Sequence, residues 1–219
     1  MFTSIRTTLT LCMLLFVGMA TQLYSQALSS PTSDIQIVRK GSFYTGEFDE
    51  SAAEIVGWHA AKKRVYFTKA SSNEVVILNI SDDLQVLGIY KSLDMSVYGG
   101  GVNSLAINGN MLAVAVEAED KTDNGKVIFF DEDGEYINEA TTGALPDMVT
   151  FTSDGQYAIT ANEGEPNDDY SVDPEGSVSI ISTTDFSVRT ADFTAFNDQL
   201  QDLLDAGVRI FGPGASVAQ

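Results

Sequence analysis

The residues best equipped for chemistry lie in one stretch, Ala161 to Ile181, which reads ANEGEPNDDYSVDPEGSVSII. Between Glu163 and Glu175 it carries six carboxylates, Glu163, Glu165, Asp168, Asp169, Asp173 and Glu175, and no Lys, Arg or His. Each pair of such charges about 5 Å apart costs on the order of 1 kcal/mol at high dielectric, and a divalent cation reverses that repulsion. The donors are all oxygen, which suits a hard cation such as calcium better than zinc or copper. Glu163, Glu165, Asp168, Asp169 and Asp173 are therefore the candidate metal ligands. The other reading of the same residues is a solvated surface loop that keeps the protein soluble. No catalytic residue stands out.

The elements around this stretch must be strands. Pro166, Pro174, Gly164 and Gly176 forbid a regular helix within it. Its flanks, QYAITAN and SVSII, alternate apolar and polar residues as half-buried strands do. The loop also has a place in a repeat of roughly 45 residues, the period of four-stranded propeller blades. Units at 53–93, 102–142 and 147–193 each read strand, tight turn, strand, loop, strand, turn, strand. Asn108-Gly109, Asp133-Gly134 and Asp154-Gly155 supply hairpin-turn chemistry. Runs such as Leu112–Val116 and Val75–Leu78 are apolar throughout, as in strands buried on both faces. The fold class expected is all-β: a β-propeller with WD40/YVTN-like blades, about three of them present.

Matching second- and third-strand positions across the units pairs Val65 with Val76, Leu112 with Val127 and Tyr157 with Val178, separations of 11, 15 and 21 residues. One loop lengthens while the strands hold, and its acidity rises with its length. The second unit's loop holds Glu117, Glu119, Asp120 and Asp123. An acidic patch at one mouth of the propeller is expected.

Gly99-Gly100-Gly101 reads as a flexible link between blades, since neither a following helix nor a Lys-Ser/Thr pair makes it a phosphate cradle. Beyond the third unit, 194–219 reads as a short helix and turn. Phe196, Leu200, Leu203 and Leu204 recur at helical spacing before Gly207, so the helix is expected to cover a flank of the sheets. Three blades do not close a ring, and propellers have four or more. The expectation is an N-terminal fragment of a larger closed propeller.

Residues 1–27 read as a signal peptide: Arg6 is the only charge, Leu9–Ala20 is an apolar core too short to span a bilayer, and Ser25-Gln26-Ala27 suits a signal peptidase. Residues 28–52 are a lead-in. The only cysteine, Cys12, falls in the signal segment, which excludes disulfides, thiol catalysis and cysteine-bound zinc from the mature chain. The only histidine, His59, follows Trp58 at a strand end and reads as an ordinary surface residue. With 31 acidic and 12 basic residues the net charge is −19, which argues against nucleic acid and anionic membranes as partners. No segment of the mature chain reads as a membrane span.

GALPDMVTFTSDGQYAITANEGEPNDDYSVDPEGSVSII strongly resembles the signature block of the choice-of-anchor I family. GGGVNSLAINGNMLAVAVEAEDKTDNGKVIFFDEDG resembles the preceding family block, and AGVRIFGPGASVAQ one that follows. The resemblance implies a secreted or surface propeller protein, of a group that includes the mesenchyme-specific cell surface glycoprotein type, with further propeller sequence and a C-terminal anchor beyond this stretch. Some relatives carry the labels alkaline phosphatase or phytase-like, and propeller phosphatases bind calcium through acidic loops. The resemblance carries over no catalytic residue set.

Two functions follow from these features. One is a secreted or cell-surface module that binds an extracellular ligand or protein, with calcium in its acidic loop. The other is a calcium-dependent phosphoesterase, in which metal ions would bind phosphate and activate water. The second also needs cationic charge facing the phosphate, and Lys121 and Lys126 are the nearest candidates.

Overall fold

Val, Ile and Phe recur in the second and third strands of the units, above all in VVIL of the first and VIFF of the second, and such side chains pack well on a pleated surface. The computed structural model describes residues 37–209, so the signal-peptide reading lies outside the described residues. Two units separate, Met1–Arg39 and Lys40–Gln219, and the strands all belong to the second.

The first sheet is β1 (Val56–His59), β2 (Arg64–Lys69), β3 (Glu74–Ile80) and β4 (Val86–Asp94). The second is β5 (Gly101–Asn108), β6 (Met111–Glu117), β7 (Asn124–Asp131) and β8 (Tyr136–Ala144). The third is β9 (Pro146–Phe151), β10 (Tyr157–Asn162), β11 (Ser177–Ser182) and β12 (Val188–Asp192). Each is an antiparallel meander whose strands pair in chain order. Successive sheets pack on one another with β1, β5 and β9 side by side. That is the radial arrangement of β-propeller blades. The first and third blades do not pack together among the described residues, so the three form an arc and not a closed ring.

The two seams between blades differ in chemistry. Tyr66, Val75, Ile77, Leu93 and Met95 of the first blade and its link meet Leu105, Leu112, Val114, Val116, Ile128 and Phe130 of the second. On its other side the second blade offers Ala113, Ala115, Val127 and Phe129 to Val149, Ala158 and Ile181 of the third. This second seam also buries Thr160, Asn162, Ser177 and Ser179. Leu112 faces the first blade, and Val65, packed with Phe67, Val76 and Leu78 on the side of the first blade away from the second, points the same way along the arc, whereas Tyr157, next to the seam residue Ala158, points the other way. The match of Tyr157 to Val65 and Leu112 is off by one residue, and in a strand one residue reverses the face.

The three glycine turns take the conformation their sequences demand. Gly109, Gly134 and Gly155 have φ of 54°, 74° and 70°, the left-handed region that costs glycine little. The corresponding first-blade turns use Lys63 and Leu84 at φ 52° and 64° instead. The link at Gly99–Gly101 is not slack. The Gly100 N–H donates to the Glu117 carbonyl at 2.9 Å, and a Cβ on Gly99 would lie 2.0 Å from that same oxygen. The glycines are there because two backbones touch.

His59 is buried at 6% exposure, contrary to a surface reading. It faces the second blade, as its strand neighbour Gly57 does, and its Nδ1 accepts the Lys62 N–H at 3.1 Å. Beside it a polar clamp joins the first two blades. Arg64 donates to the Glu132 carbonyl at 2.7 Å and to Asp133 at 2.5 Å while stacking on Tyr90 at 3.6 Å. The Tyr66 hydroxyl donates to the same Glu132 carbonyl at 2.6 Å.

The C-terminal helix α1 (Leu200–Asp205) forms, preceded by a 3₁₀ turn over Thr194–Gln199. Gly207, at φ 87°, ends it: the Gly207 N–H reaches Leu204 and the Val208 N–H reaches Leu203, the paired bonds of a Schellman cap. The helix does not cover a sheet flank as its spacing suggests. Phe196, Leu200 and Leu204 stay exposed, and the segment buries no residue.

Candidate functional site

Alternate connections of a meander emerge at the same end of a sheet. The β2–β3, β6–β7 and β10–β11 loops therefore share one rim of the arc with the links between blades. The long β10–β11 loop is anchored where it leaves the sheet. The Glu163 N–H donates to the Leu145 carbonyl at 2.9 Å, and the Gly164 N–H donates to the Ala144 carbonyl at 3.2 Å. Gly164, at φ 66°, lets the chain turn against Pro174 and Glu175, where a Cβ would meet backbone at 2.6 Å. Below it the buried Asn162 donates to the hydroxyls of Ser177 and Ser179 at 3.0 and 2.9 Å.

The middle of the loop is held by its own polar groups. Asn167 N–H donates to the Val172 carbonyl at 3.0 Å, and the Asn167 side chain accepts the Val172 N–H at 3.1 Å. Asp169 accepts both the hydroxyl of Ser171, at 2.6 Å, and its N–H, at 3.0 Å, which hold its carboxyl below the usual aspartate range. Tyr170 sits at the tip with φ 57°, an uncommon setting for a bulky residue.

All five candidate ligands are exposed, and they do not converge on one point. Among the described residues no three Asp, Glu, His or Cys side chains are grouped closely enough to hold a metal ion. They are spread along the loop. Glu163 lies toward the inner strand β9, where partial burial, then Asp147, then Glu165 push its carboxyl above the usual range. Asp168 and Asp169 instead border an open groove of about 610 Å³, whose other lining residues are Glu119, Asp120, Lys121 and Asn167. The Lys121 ammonium bridges the loops of the second and third blades by pairing with Glu165 at 3.2 Å. Asp173 is exposed on the returning arm of the loop. Lys126 pairs with Glu139 at 2.8 Å, so both lysines already have carboxylate partners.

Sequence reasoning missed two parts of this site and, at Asp120, the geometry of a third. Asp147 lies outside the acidic stretch, and only strand pairing brings it near Glu163. Asp120 repeats the Asp169 arrangement, accepting the Thr122 N–H at 3.0 Å and hydroxyl at 2.8 Å. The spacing Asp-x-Ser/Thr was a visible signal for such turns, and it recurs with the same bonds at Asp94, Asp185 and Asp192. The Lys121–Glu165 bridge has no local signature.

The choice-of-anchor I domain family model matches residues 54–219. No curated protein matches the chain. Among solved structures, the chain is similar to hydrazine synthase of Kuenenia stuttgartiensis, at 18% identity and a TM-score of 0.48 over 64% of this chain and 37% of that one. It is also similar to a luciferin-regenerating enzyme, at 15% identity and a TM-score of 0.49 over 67% and 48%. A third is regucalcin of Agrobacterium tumefaciens, a calcium-binding protein, at 18% identity and a TM-score of 0.43 over 55% and 41%. The chain thus spans less than half the length of each. None of the three bears on what this chain binds.

Proposed function

We propose that this chain, which belongs to the choice-of-anchor I domain family, is a secreted or cell-surface binding module whose acidic rim takes a cationic ligand, with calcium as its resident ion. The observation that carries this reading is the juxtaposition of two acidic loops from neighbouring blades. Glu119 and Asp120 face Asp168 and Asp169 across one open groove, with Lys121 as the only cation lining it among the described residues.

The donor chemistry of the loop fits calcium, since every candidate ligand is a carboxylate oxygen and calcium accepts irregular sets of oxygens. The ion would draw three or four oxygens inward from the pool Glu163, Glu165, Asp168, Asp169 and Asp173, because these groups stand apart without it. Binding therefore includes an ordering cost, and the two prolines reduce it by restricting the unbound loop.

The test is calorimetry with calcium chloride on the full chain, alongside melting with and without chelator. Asp168→Asn combined with Asp169→Asn is expected to weaken calcium binding at least tenfold and to abolish any calcium-dependent rise in Tm. Equal affinity in both proteins, or melting indifferent to chelator, would overturn the calcium assignment.

A further inference from the structure

We draw no further inference here: the strongest candidate, the half-buried apolar face that Ile159, Val178 and Ile180 form on the outer side of the third blade, carries nothing because nothing in the structure shows what covers it.

Discussion

Glu163 and Asp169 belong to one loop, yet their surroundings drive them in opposite directions. Burial and two neighbouring carboxylates raise Glu163, whereas the Ser171 hydroxyl and N–H lower Asp169. The consequences for stability have opposite signs. A raised carboxyl binds its proton more tightly in the folded state. Glu163 thus adds nothing unfavourable below the ordinary glutamate pKa of about 4.3, and its penalty grows as pH rises through the higher folded value. Glu163→Gln should then raise Tm at pH 7 to 8, with the gain vanishing near pH 4. A thermal melt series across pH checks this, and a loss of Tm at pH 8 would refute it. The lowered aspartates, Asp94, Asp120, Asp133, Asp154, Asp169, Asp185 and Asp192, act the other way. Their contribution is present above the ordinary aspartate pKa of about 3.9 and is lost as pH falls through their folded values. Arg64 offers a second test at this scale. Its guanidinium reaches a carbonyl and a carboxylate at once, which a lysine cannot reproduce. Arg64→Ala should cost about 1.5 to 3 kcal/mol, as for hydrogen bonds to charged groups, and Arg64→Lys should recover only part of it in urea titration.

At the scale of elements, the Gly99 link shows how a flexible reading becomes a close-packed one. With its would-be Cβ 2.0 Å from the Glu117 carbonyl, Gly99→Ala must push two backbones apart. The expected loss is about 1 to 3 kcal/mol, as for overpacking; an unchanged urea midpoint would show that the link yields. The meander itself was legible because its signals are local. Asn-Gly and Asp-Gly turns, apolar runs of strand length and a period near 45 residues all stand in the chain itself. The facing of each strand was not legible where both sides are apolar. Leu112-Ala113-Val114-Ala115-Val116 has no polar alternation, so nothing local says whether Leu112 or Ala113 faces the first blade. The Asp-x-Ser/Thr turns were legible in principle, since their bonds span two residues. Asp147 beside Glu163, Lys121 on Glu165 and the burial of His59 were not, because each depends on which blades lie next to one another. The exposed apolar side of α1 marks a further limit: helical spacing predicts the helix, but not what it packs against.

Across the whole molecule the two seams set an order of stability. The first seam buries Tyr66, Ile77, Met95, Leu112 and Ile128 completely or nearly so, and burying each such side chain fully is worth about 1.5 to 3 kcal/mol. The second also buries Phe129, Val127, Val149 and Ile181, but it fills its other positions with Ala113, Ala115 and Ala158, whose methyl groups contribute far less area, and with hydroxyls that gain little by leaving water. Each seam also buries one polar atom without a hydrogen-bond partner among the described residues, the His59 Nε2 in the first and the Asn162 Oδ1 in the second, so these atoms do not set the order. The second blade is held by both seams, and the first by the stronger seam plus Phe43 of the lead-in packed on Phe67, with ring centroids 5.9 Å apart. Among the described residues the third is held by the weaker seam alone. Repeat architectures lose structure unit by unit according to such interface terms. Native-state hydrogen exchange should therefore show amides of β10 and β11 opening before those of β2, β3, β6 and β7. Ile77→Ala, at the centre of the strong seam, should cost about 2 to 5 kcal/mol and bring first-blade exchange closer to that of the third blade. Protection in β10 and β11 equal to that in β6 and β7 would mean that the polar second seam holds as firmly as the apolar first, and the ranking would fail.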